Sequence, residues 1–128
     1  MQKTIIATNA APKAIAAYNQ AIAVEGAKLL FISGQIGLDP QTMKMVEGGV
    51  SAEAKQVLEN LGGILKAAGG GYGSVVKATI YLADINDFAA VNEIYASYFE
   101  NDPPARAAFA VAALPLGARV EIEAIAAL

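Results

Sequence analysis

Apolar residues recur along the chain with two different periods, and each change of period marks a new element. From Val50 they fall at Ala54, Val57, Leu58, Leu61, Ile64, Leu65 and Ala68, offsets of 4, 7, 8, 11, 14, 15 and 18 that share one face of an α-helix. Ser51 is placed to cap its start, and Gly69, Gly70 and Gly71 offer the permissive backbone that ends it. Val76, Ala78, Ile80 and Leu82 then alternate with Lys77, Thr79 and Tyr81, the period of two of a strand. A second amphipathic helix follows Asp84 to Asp87, with Phe88, Val91, Tyr95 and Phe99 facing inward, and Asp102-Pro103-Pro104 stops it.

On either side of this α-β-α segment the chain reads as β-structure. Lys3–Thr8 and Tyr18–Val24 are predicted strands, and Glu25–Lys28 is a turn into the apolar run Leu29–Ile36, which forms a hairpin with the strand before it. Gly37–Gly49, with Pro40 and three glycines, reads as a loop. Arg106–Ala113 and Arg119–Ala126 make two final strands joined by Leu114–Gly117. The predicted order is β-β-β-α-β-α-β-β, one α+β domain over residues 1–128 with two helices on one face of a sheet. Leu29–Ile32 is apolar in both phases, so the other sheet face needs a cover, and a closed homo-oligomer supplies it.

Composition narrows the chemistry more than the fold. The 128 residues are 55% hydrophobic, but 28 are alanine, so large core side chains are fewer than that fraction suggests. A formal charge of −3 leaves no cationic field for a polyanion, which makes nucleic acid a poor partner. There is no Cys and no His, which removes disulfides, thiolate nucleophiles, imidazole bases and imidazole metal ligands together. The longest uncharged stretch, Ala107–Ala118, is twelve residues and holds Pro115 and Gly117, too short and broken for a membrane helix. The N-terminal residues resemble neither a signal nor a transit peptide, so the expected compartment is the cytoplasm.

Carboxylates, tyrosines, lysines and two arginines remain. Arg106 shares its strand phase with Ala108 and Ala110, a guanidinium among alanines whose planar fork suits a carboxylate; the plainer alternative is a strand-end charge reaching solvent. Glu121 and Glu123 share the opposite kind of setting, one face of the last strand, where one can serve as a base toward water or both can be solvated. Ser33-Gly34-Gln35 ends a strand with groups able to fix a small polar ligand. Tyr18 and Tyr81 are candidate hydrogen-bond donors.

Pro104-Ala105-Arg106-Ala107-Ala108-Phe109, followed by Leu114 and Val120-Glu121-Ile122, resembles the signature of the Rid (YjgF-like) family. Tyr18-Asn19-Gln20-Ala21, Ser33-Gly34-Gln35, Asp84-Ile85-Asn86-Asp87-Phe88 and the ending Glu121–Ala126 agree with it. The resemblance implies a chorismate-mutase-like subunit with a mixed sheet of about six strands, assembled as a homotrimer with ligand sites in the clefts between subunits. It further implies RidA-type chemistry, the hydrolysis of reactive enamines and imines such as 2-aminoacrylate to 2-keto acids and ammonia, with neither cofactor nor metal. The family's carboxylate-binding Arg falls on Arg106, its acid beside the attacking water on Glu121, and its pocket residues on Tyr18, Ser33 and Asn92. Ala108 stands where some members have Cys and leaves only its backbone to the substrate. Ala16-Ala17 replaces a common Gly-Pro, and Pro103 replaces a larger residue.

Arg106 and Glu121 are expected at the ends of adjacent strands. The expected partners are a small imino or keto acid and further copies of the chain, with no membrane. A non-catalytic binder of small carboxylates would use the same pocket. A nuclease fits less well with a net charge of −3 and no His, and a chorismate mutase has no obvious set of cationic residues here for a dicarboxylate.

Overall fold

The computed structural model describes residues 1–128. Six strands and two helices follow one another as β1 (Gln2–Ile6), β2 (Ala21–Glu25), β3 (Leu29–Gln35), α1 (Gly49–Ala67), β4 (Val75–Leu82), α2 (Phe88–Tyr98), β5 (Ala105–Ala110) and β6 (Val120–Ala127). The predicted order therefore holds, and so does the inner face of α1: Val50, Ala54, Val57, Leu58, Leu61 and Leu65 are all buried. Its start differs. Gly48, in a left-handed conformation, caps the helix in place of Ser51, and Lys66 sits in the last turn where the helix dipole favours a cation.

The strands form two sheets, not one of six. β3, β6, β4 and β5 lie in that order, antiparallel except for the parallel pair β4 and β5, while β1 and β2 form a separate antiparallel ribbon. The expected hairpin of β2 with β3 is thus replaced by a hairpin of β1 with β2. A long irregular stretch connects these two strands, and the Gln20 side chain pins it by bonding the backbone of Thr8, Ala11 and Pro12. Tyr18 lies in this stretch and not in the strand.

Alternation decides what each sheet face does. Ala78, Ile80 and Leu82 of β4 and Val120, Ile122, Ala124 and Ala126 of β6 point toward α1 and α2, where they meet Val91, Tyr95 and the α1 stripe in one core. Lys77, Thr79, Tyr81, Glu121 and Glu123 point the other way, to a face that no helix covers. On that face Phe31 is 71% exposed and Phe109 45%. The chain exposes 7117 Å², against about 6,400 Å² for a compact monomer of this mass. The free ribbon and the bare sheet face account for an excess of that kind.

Candidate active site

β5 is an edge strand, and it places Arg106 level with Ala78 of β4, on the helical side of the sheet. α2 crosses there with Phe88, Asn92 and Tyr95 at spacings of four and three, one helical face. Asn92 Oδ1 accepts a hydrogen bond of 2.7 Å from Arg106 Nη1. The rings of Tyr95, Phe88 and Tyr18 stand 5.0, 5.6 and 5.6 Å from the guanidinium carbon. Tyr18 arrives from the connection before β2 because Asn19 is tied to β5's approach: its Nδ2 donates to Pro103 O at 2.7 Å and its backbone N–H to Pro104 O.

Arg106 has no acidic partner; the chain's only ion pair joins Arg119 to Asp87. Burial lowers the pKa of Arg106 from its ordinary value, while Tyr95 and Tyr18 act in the opposite direction, and the guanidinium remains charged. A half-buried cation without a counter-ion has given up water and gained little charge compensation in return. With one N–H spent on Asn92, the rest of its donor fork is left for an anion.

The second group of candidates lies on the uncovered face. A one-residue bulge in β3 falls between Ile32, opposite Ala124, and Gln35, opposite Ile122, and so brackets Ser33 and Gly34. The Glu121 carboxylate lies against Gly34 so closely that a Cβ there would collide with it. Tyr81 donates its hydroxyl proton to Glu123 Oε1 and packs edge-on against Phe109 at 5.3 Å. Glu123 is thereby engaged, and Glu121 is the carboxylate with no such bond.

The sequence-predicted residues thus fall into two half-sites. Tyr18, Asn92, Arg106 and Ala108 share the helical side of the β5 edge; Ser33 and Glu121 share the open face. The strands of Arg106 and Glu121 are not adjacent, since β4 runs between them, and the two side chains leave opposite faces of the sheet. None of the five concavities of the single chain is lined by Arg106, Asn92 or Tyr18. The largest, about 490 Å³, is an apolar groove between the end of β3 and α1. No group of three or more acidic side chains is placed to hold a metal ion. Phe88 and Tyr95 belong to the Arg106 cluster although periodicity marked them only as core; the polar Asn92 between them on the same face was the available signal.

Comparison with known proteins agrees over nearly the whole chain. The sequence model of the family described as Endoribonuclease L-PSP matches residues 8–128. The 2-iminobutanoate/2-iminopropanoate deaminase of Rattus norvegicus is 58% identical over 124 residues, 97% of this chain and 89% of the relative. The crystal structure of RidA from an Antarctic Psychrobacter is 46% identical, covers 98% of this chain and 99% of its own, and superimposes with a TM-score of 0.76. That of Escherichia coli TdcF with bound serine is 39% identical, covers 98% of both chains and gives 0.74.

Proposed function

This chain belongs to the Endoribonuclease L-PSP family, the YjgF/Rid proteins, and from that premise we propose that it is a RidA-type deaminase working at a site shared between copies. It hydrolyses reactive 2-enamine and 2-imine acids, such as 2-aminoacrylate, to 2-keto acids and ammonia. The observation that carries this reading on the chain's own residues is the unpaired, aromatic-walled guanidinium of Arg106, a fork that fits a substrate carboxylate. E. coli TdcF, the relative solved with serine, holds a ligand that also bears an α-carboxylate.

In this reading Arg106 anchors the carboxylate and fixes the adjacent imine carbon, with Tyr18, Asn92 and Ala108 lining the pocket on its side. Ser33 and Glu121 come from the next copy. An enamine first tautomerises to the imine, its nitrogen proton lost as the terminal carbon gains one. Water held by Glu121 then adds through oxygen to the imine carbon, and the proton that Glu121 takes from it passes to the imine nitrogen, which gives a carbinolamine. Transfer of the carbinolamine hydroxyl proton to that nitrogen breaks the C–N bond, releasing ammonia and leaving the keto acid. The substrate is intrinsically labile, so holding water and carbon in line supplies much of what the reaction needs. No step calls for a metal or cofactor.

Joining the Arg106 half-site of one copy to the Glu121 half-site of another pairs two different patches, and such a contact closes only as a ring. A homotrimer of chorismate-mutase-like single-domain subunits is the ring that the family resemblance favours, and burial of Phe31 and the bare sheet face would accompany its closure. Its partners in this reading are a small imino or keto acid and further copies of the chain, and the formal charge of −3 speaks against nucleic acid. Two measurements test it together. Freshly generated 2-iminobutanoate should lose ammonia faster with the protein than in buffer alone, and sedimentation equilibrium should return three times the 13.1 kDa chain mass. A stable, active monomer contradicts the shared site, and a trimer that leaves the imine's decay unchanged contradicts the deaminase.

A further inference from the structure

Two aromatic residues of the Arg106 cluster have no place in the reaction as described. Phe88 and Tyr95 touch the guanidinium without offering it a hydrogen-bond acceptor, and both come from α2, the helix that also supplies Asn92. Their arrangement is specific. Asn92 accepts from Nη1, while the ring centroids of Tyr95 and Phe88 stand 5.0 and 5.6 Å from the guanidinium carbon, beside a group that must otherwise stay hydrated. Tyr95 is itself tightly enclosed: it is 0% exposed and its ring lies tilted by 33° against that of Phe99, with centroids 4.5 Å apart.

The Tyr95 hydroxyl is the only buried side-chain polar atom in the chain without a hydrogen-bond partner. That hydroxyl is a cost to folding and gives Arg106 no hydrogen bond, which leaves the ring as what Tyr95 sets against the guanidinium. Burial drives the Tyr95 pKa upward, so the residue stays neutral and never becomes the counter-ion that would compete with a substrate carboxylate. An acid in the same place would pair with Arg106 and close the site. Aromatic walls hold a cation while leaving its charge unspent.

We propose that Tyr95 and Phe88 are positioning residues that hold the Arg106 guanidinium in one orientation, with its unused N–H groups directed at the substrate carboxylate. This rests on the assignment of Arg106 as carboxylate anchor, and it adds that α2, through a rigid aromatic cradle, sets how well that anchor is organised before substrate arrives. Arg106 pre-ordered in this way loses less side-chain freedom when it binds, so the cradle acts on affinity more than on the later chemical step.

The chain contains only two arginines, so a spectrum of arginine Nε–Hε groups in the intact oligomer holds two side-chain signals, with Arg119 as the internal control. In the wild type the Arg106 signal should be ordered and should shift when 2-oxobutanoate is added. Tyr95→Leu should broaden the Arg106 signal, leave that of Arg119 in place, and weaken 2-oxobutanoate binding by about tenfold. Tyr95→Phe keeps the ring and discards the unpartnered hydroxyl, so it should bind within about twofold of wild type. Phe88 is only half-buried, and Phe88→Leu serves the same purpose if Tyr95→Leu does not fold. Unchanged Arg106 dynamics and affinity in the leucine variants overturn the cradle, as does a loss in Tyr95→Phe equal to that in Tyr95→Leu. Arg106→Ala separates the two levels: if it too binds 2-oxobutanoate normally, the carboxylate anchor itself is wrong.

Discussion

The two arginines of this chain are chemically identical and sit in opposite electrostatic settings. Arg119 donates through Nη2 to both oxygens of Asp87, at 3.0 Å each, beside the start of α2, and its backbone N–H is held by the buried carboxylate of Glu53 at 2.9 Å. Its side chain is 47% exposed, and its charge is already compensated. Arg106 is more enclosed, meets three aromatic rings and a neutral amide, and has no acid. A satisfied guanidinium fastens a turn to a helix; an unsatisfied one has an electrostatic demand that only something from outside the chain can meet.

Removing the unsatisfied arginine should therefore have the largest effect. If Arg106 anchors the carboxylate as proposed, Arg106→Ala removes two charge-assisted hydrogen bonds at ~1.5 to 3 kcal/mol each, so kcat/KM for imine hydrolysis should fall about 10²- to 10⁴-fold. Asn92→Asp makes Arg106 resemble Arg119 by giving it an internal counter-ion. Calorimetric titration with 2-oxobutanoate should then show binding weakened by about tenfold or more, with thermal stability unchanged or raised. Gly34→Ala sets a methyl group against the Glu121 carboxylate, the mobile end of a side chain that can swing aside. It should cost little stability and lower turnover by about tenfold, with 2-oxobutanoate affinity kept. Arg119→Ala should leave turnover as it is and reduce unfolding free energy by ~0.5 to 1 kcal/mol in urea denaturation.

How much of this was legible in the sequence depended on whether the cause was local. The α1 stripe and the alternation of β4 follow from periodicity, because burial repeats where side chains point the same way. The partner of β2 does not: the same strand pattern suits a hairpin with β3 or with β1, and the Gln20 bonds that organise the intervening stretch are invisible to a pattern of apolar residues. Among site residues, the family signature led to Arg106, Asn92 and Tyr18, which the fold brings together. It also led to Ser33 and Glu121, which the fold sets apart from them. Chain order put β5 just before β6, yet β4 separates them, and strand adjacency is a property of topology that neighbouring positions do not encode.

The proposed shared site takes its Arg106 side from one copy and its Glu121 side from another. Co-refolding Arg106→Ala with Glu121→Gln in equal amounts tests it directly. Each parent alone should be nearly inactive, with Glu121→Gln reduced about 10²-fold in the chemical step. In random mixed rings, a site is intact when a subunit with native Arg106 meets a neighbour with native Glu121, which happens at about one site in four. The mixture should therefore recover about a quarter of wild-type deamination of freshly generated 2-iminobutanoate. A mixture no more active than its two parents would show that both residues serve from the same chain, and would contradict the shared site.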